Sequence, residues 1–159
     1  TGRPQDPDNL EDFYKSRYID SPNSPLYSFG HGLSYSEFSY GNLIKQTDII
    51  DGSTDMIIRF NITNNSSRPG KEIAQCYIEP ESFSVSRPVK QLARFEKICL
   101  MPGETKTVEF VLQYSDFSYL NINNVKTPEN RKYRIHIGSA VDDIRLTAEV
   151  RTKEVGHEN

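Results

Sequence analysis

The run "DMIIRFNIT", residues 55–63, decides the fold. Met56, Ile58, Phe60 and Ile62 alternate with a second set that includes Arg59, Asn61 and Thr63. A period of two sends the first set to one face of an extended chain and the second to the other, the pattern of a half-buried strand and not of a helix. Downstream, "NNSSRPG" (64–70) is a turn cluster in which Pro69-Gly70 suits a tight reversal. "KEIAQCYIEP" (71–80) then offers Ala74, Cys76 and Ile78 as an inward set, leaving Ile73, Gln75 and Tyr77 outward. Beyond a loop come "RPVKQLARFEKICL" (87–100), the reversal "MPGE" (101–104) and "TKTVEFVLQY" (105–114), where Lys106, Val108, Phe110 and Leu112 share a face. The stretch "KYRIHIGSAVDDIRLTAEVRT" (132–152) reads as a hairpin. Tyr133, Ile135 and Ile137 alternate before a turn at Gly138–Asp143, and Ile144, Leu146, Ala148 and Val150 alternate after it. Upstream, the alternation of Ser34–Tyr40 reads as a further strand.

These are about seven short strands joined by reversals, with no helix-length period between them, which excludes a parallel doubly wound sheet. The economical answer is all-β: two antiparallel sheets face to face, an immunoglobulin-like sandwich, which needs roughly 100 residues. Residues 36–152 supply them. Residues 1–35 differ in kind, with Pro4, Pro7, Pro22 and Pro25 among small polar and acidic residues. They read as an extended arm with at most one helical turn around Leu10–Tyr14, and residues 153–159 read as a tail.

Composition agrees. Only 35% of residues are hydrophobic, yet nine tyrosines and eight phenylalanines supply large rings for a pleated face. The net charge of −3 offers no basic face for nucleic acid. No apolar run approaches the roughly 20 residues of a membrane span, and residues 1–20 are too polar for a signal peptide. Cys76 and Cys99 stand alone and His31, His136 and His157 are scattered, so neither a metal site nor a cofactor is expected. Both thiols are expected free, since a domain with an ample core has no need of a staple.

Candidate chemistry is sparse. Gly30 and Gly32 in "PLYSFGHGLSYSEFSY" (25–40) lead into a strand pattern, whereas a phosphate loop needs a helix behind it. Asp142 and Asp143 are adjacent in a turn, which suits solvated aspartates better than the spaced carboxylate pair of a glycosidase. His136 is expected to face outward without a special role. Asn61, Asn64 and Asn65 each begin an Asn-x-Ser/Thr pattern that reads equally well as an ordinary turn. The outward Ile73 and Tyr77 are unusual for a free sheet face and call for a cover. The arm could provide one through Tyr27, Phe29, Leu33 and Tyr35. Tyr27, Phe29, Leu33, Tyr35, Ile73, Gln75 and Tyr77 are therefore the candidate docking residues.

Several long motifs resemble those of glycoside hydrolase family 3. "SRYIDSPNSPLYSFGHGLSYSEFSY" (16–40) is similar to the junction of that family, a Pro-Leu-Tyr/Phe-Pro-Phe-Gly-Tyr-Gly-Leu-Ser-Tyr run. It leads there into a C-terminal fibronectin type III-like domain. "SRPVKQLARFEKICLMPGETKTVEFVL" (86–112) resembles the family's Arg-Pro-x-Lys-x-Leu-x-Gly-Phe-x-Lys…Leu-x-Pro-Gly-Glu-Thr run. "KEIAQCYI" and "YRIHIGSAVDDIRL" resemble its Glu-x-x-Gln-x-Tyr strand and its closing Gly-x-Ser-x-x-Asp-Ile-Arg hairpin. The departures are Ser28 for proline, His31 for tyrosine, Arg94 for glycine and Asn130-Arg131 for Pro-Gly.

The resemblance implies an accessory domain of a retaining β-glucosidase-type enzyme that hydrolyses terminal β-linked sugars, in the periplasm or outside the cell. The family's aspartate nucleophile and glutamate acid/base belong to barrel and α/β sandwich domains that this chain does not contain. Those domains of the parent protein would be the partners, with oligosaccharide as a further candidate ligand, and no catalytic residue is assigned here. The competing reading is a free-standing carbohydrate-binding or adhesion-type sandwich, gripping sugars through Tyr27, Tyr35, Tyr40 or Tyr77.

Overall fold

The computed structural model describes residues 24–82, 88–121 and 123–153. The helical turn expected near Leu10, and the tail beyond residue 153, lie outside the described residues. The main strands are β1 (Phe38–Lys45), β2 (Ile49–Ile50), β3 (Met56–Asn64), β4 (Gly70–Pro80), β5 (Gln91–Leu100) and β6 (Thr105–Leu112). A short 3-10 turn, Tyr114–Phe117, leads to the small pair β7 (Ser118–Leu120) and β8 (Lys126–Pro128), and β9 (Lys132–Gly138) and β10 (Ile144–Thr152) follow. They form one sheet in the order β1-β3-β6 and another in the order β2-β10-β9-β4-β5. This is an all-β sandwich.

The core lies where the alternations pointed. Met56, Ile58, Phe60 and Ile62 of β3 face Ala74, Cys76 and Ile78 of β4 and Ile135 and Ile137 of β9, all buried. Phe60 is stacked against Tyr40 with centroids 6.2 Å apart and tilted against Phe110 at 5.5 Å, geometries that add to area burial. Lys106 keeps the face of Val108, Phe110 and Leu112 but ends it in solvent.

Two features were not visible as periods. The strand expected over Ser34–Tyr40 begins only at Phe38. Ser36 is instead tucked against Gly70, where an added Cβ would come within 2.5 Å of the Ser36 side chain, so the segment leaves the ladder there. The chain also changes sheets between β1 and β2. A register shift between Gly41 and Ile44, with Asn42 at φ 51°, bends β1. The chain then reaches the far sheet, where β2 pairs parallel to β10 at Arg151↔Ile49 and Thr152↔Ile50.

Candidate functional site

The described part of the arm lies on the outer face of the five-stranded sheet and is fastened at one bend. The backbone N–H of His31 donates to the Ser28 carbonyl at 3.1 Å, closing a turn in which Gly30 takes φ +81°. That conformation favours glycine, and space demands it as well: a Cβ on Gly30 would lie 2.2 Å from Gln75 Oε1 and 2.8 Å from the Tyr77 hydroxyl. Gln75 Nε2 donates to the Gly30 carbonyl at 3.2 Å and also to the Ser139 carbonyl. The Tyr77 hydroxyl donates toward Gln75 Oε1 and approaches the Phe29 carbonyl at 3.5 Å. The same carbonyl accepts the Val141 N–H at 3.0 Å, the Ser28 hydroxyl donates to Asp142, and Lys90 Nζ donates to the Val141 carbonyl at 3.2 Å. The bend is thus bonded to β4 and to the β9–β10 turn together.

Of the seven candidate residues, the structure brings three into contact. Gln75 and Tyr77 are buried, and the Phe29 ring meets Tyr77 edge-on with centroids 6.5 Å apart. Burial, with the nearby Asp142 carboxylate adding to it, pushes the Tyr77 phenol up to about 12. Tyr27 packs at a tilt on His31 with centroids 5.1 Å apart and stays largely in solvent. Leu33 and Tyr35 are both 93% exposed, and Ile73 remains partly exposed rather than covered. The sequence reading missed the contribution of the β9–β10 turn to the clasp, because no local pattern reveals which distant turn the arm will meet.

His136 is a correction. Alternation does place it on the outer face, but it is 7% exposed, with Nε2 2.6 Å from Glu79 Oε2 and Nδ1 3.1 Å from Thr147 Oγ1. The reason is strand order: β9 lies between β4 and β10, so an outward ring there is walled in by both neighbours. Burial lowers its pKa, and the Glu79 hydrogen bond offsets part of that. Asp143 is likewise engaged, accepting from Arg145 at 2.6 Å and from Ser139, and these donors hold its carboxyl below the usual range.

Among the described residues, no group of three His, Cys, Asp or Glu side chains could hold a metal ion. A cavity of about 100 Å³ beside β5 is lined by Gln91, Leu92, Ser115, Asp116 and Lys126 among others. That is well below the roughly 300–1,000 Å³ of ordinary ligand pockets. The arrangement holds a segment in place and presents apolar side chains.

Comparison with known proteins agrees with this geometry. Residues 72–141 match the fibronectin type III-like domain family. The chain is 38% identical over 146 residues to a periplasmic beta-glucosidase of Salmonella typhimurium, covering 92% of this chain and 19% of that protein. A putative beta-xylosidase of Formosa agariphila is 35% identical over 135 residues, covering 85% of this chain and 18% of that one. The crystal structure of a beta-glucosidase from Listeria innocua in complex with glucose superposes with a TM-score of 0.83 at 39% identity, over 96% of this chain and 21% of that one. The chain therefore spans about a fifth of the length of these relatives. With the sandwich topology, the junction run and these matches in agreement, the chain belongs to the C-terminal fibronectin type III-like domains of glycoside hydrolase family 3 enzymes.

Proposed function

We propose that the chain is a non-catalytic docking domain. In this reading residues 36–152 form the accessory sandwich and residues 1–35 join it to the barrel and α/β sandwich domains of a β-glucosidase-type parent, which hydrolyses terminal β-linked sugars. The periplasm or the cell exterior is the proposed location, in line with the Salmonella relative's description as periplasmic. One observation carries the reading: the arm is bonded to the sheet at Phe29 and Gly30 while Leu26, Tyr27, Leu33 and Tyr35 project their side chains into solvent. Apolar side chains held out in this way mark an interaction surface. Phe29 is edge-on to Tyr77 and Tyr27 is tilted on His31, which favours packing against a protein over a flat platform for sugar rings.

Two measurements test it. The chain, incubated with aryl β-glucosides at high concentration, is expected to release nothing above buffer. Turnover that survives repurification and saturates with substrate overturns the non-catalytic assignment. The part of the parent polypeptide encoded upstream should bind the chain when the two are expressed separately. Phe29→Ala should weaken that binding about tenfold or more, as hot-spot aromatics do. Equal binding by wild type and variant removes the arm from the interface.

A further inference from the structure

A second set of exposed groups lies beside the arm, on β5. Phe95 is directly opposite Gln75 in the β4–β5 register, and its ring is 68% exposed. Two residues along, Lys97 is opposite Ile73, and beyond it Cys99 is opposite Lys71. Phe95, Lys97, Ile73 and Lys71 therefore form one contiguous patch on the outer face. Lys71 and Lys97 are exposed, and neither makes an ion pair among the described residues. The arm borders this patch at β4, where its bend is fixed at Gly30 over Gln75 and Tyr77, and Gln75 is the residue opposite Phe95.

We propose that this patch is the sheet-borne half of the docking surface, with Phe95 as its anchor, and that its occupant is the upstream part of the parent polypeptide. The partner surface would present an apolar socket for the Phe95 ring, rimmed by carboxylates that meet Lys71 and Lys97. The proposal rests on the docking reading above and extends it from the arm to β5. Two features favour this occupant. The arm that leads upstream is bonded to the same face, and the relatives are about five times longer than this chain. A second copy of the chain suits the patch poorly, because a two-fold contact centred on it would bring Lys71 and Lys97 against their own copies.

The test uses the intact chain and the separately expressed upstream part, with the affinity of wild type, Phe95→Ala, the double variant Lys71→Glu/Lys97→Glu, and Phe29→Ala measured at low and at moderate salt. All four positions are exposed, so unchanged urea midpoints serve as the folding control. Phe95→Ala is expected to weaken binding about tenfold or more, as is the double charge reversal at low salt. Wild-type affinity should fall with added salt and that of the double variant should not. If both β5-side variants bind within about twofold of wild type while Phe29→Ala does not, the surface ends at the arm. In that outcome this inference fails and the docking reading stands. If wild type does not bind at all, both fail. If the wild-type chain sediments as a dimer that Phe95→Ala converts to a monomer, the occupant is a second copy and the proposal is overturned.

Discussion

At Asn64 a side-chain amide is enclosed at the end of β3, with Nδ2 donating to the Arg68 carbonyl at 2.8 Å and the Leu100 carbonyl at 3.1 Å. Its Oδ1 accepts the Ser66 N–H at 2.9 Å. One amide thus fixes the Asn64–Gly70 reversal and joins it to the end of β5. Asn64→Ala strands those three backbone groups and should lower stability by about 2–3 kcal/mol, read from urea denaturation. The same burial removes Asn64 from the candidate glycan acceptors of the folded chain, a distinction the tripeptide pattern cannot make. Gly30 is the second residue with a disproportionate role. Gly30→Ala forces a side chain into the left-handed region and against Gln75, at a cost of about 1–3 kcal/mol, which unfastening the arm would relieve. Chymotryptic cleavage at Tyr27 and Phe29 should accelerate several-fold while the urea midpoint of the sandwich moves little. An unchanged cleavage rate would show that the bend does not depend on this glycine.

Among the elements, β5 departs from ideal pairing in its ladder with β4. Cys76 is opposite Arg94 and Tyr77 is opposite Leu92, so Ala93 is an extra residue and the strand bulges. Arg94, opposite the inward Cys76, points toward the other sheet, where its guanidinium pairs with Asp116 at 2.7 Å and Nε donates to the Val111 carbonyl at 2.9 Å. Asp116 also accepts the Gln113 N–H, so the pair holds the 3-10 turn against β5. Charge-assisted and partly shielded, this contact should contribute about 1–2 kcal/mol, measured as the urea stability lost in Arg94→Ala. The strands themselves were legible because β3, β4, β6, β9 and β10 each carry a clean period of two. The bulge and the two-residue β2 were not, since both depend on what lies across the sheet and not on neighbours in the chain.

Across the whole molecule, the two sheets are also linked by a polar contact. The Tyr40 hydroxyl on β1 donates to Glu72 Oε1 on β4 at 2.7 Å. Burial raises the Glu72 pKa, although the Tyr40 hydrogen bond and the Arg145 charge oppose the shift. A carboxyl whose folded pKa is raised takes up protons on folding, so its favourable contribution is complete below its unfolded pKa. That contribution is lost as pH rises through the folded value. Glu72→Gln keeps an oxygen for Tyr40 but cannot ionise. Its stability relative to wild type should therefore increase from about pH 4.5 toward neutrality, where it should equal or exceed wild type. A difference that stays flat in urea midpoints across that range would show that Glu72 titrates normally. The proposed docking surface was only partly legible at this scale. Gln75 and Tyr77 followed from alternation, whereas the clasp around Gly30 required the β9–β10 turn to arrive beside β4.

The two thiols differ sharply in environment. Cys76 is sealed in the core, where burial pushes its thiol up to about 12, while Cys99 is exposed on the outer face of β5. A maleimide dye should therefore label the native chain once, at Cys99, and reach Cys76 only in denaturant. Cys99 is two same-face positions from Phe95, about 13 Å along the strand. Without any engineered cysteine, the chain thus carries a fluorescent reporting position at the margin of the proposed contact surface, where a partner's arrival would register in real time as a change in emission.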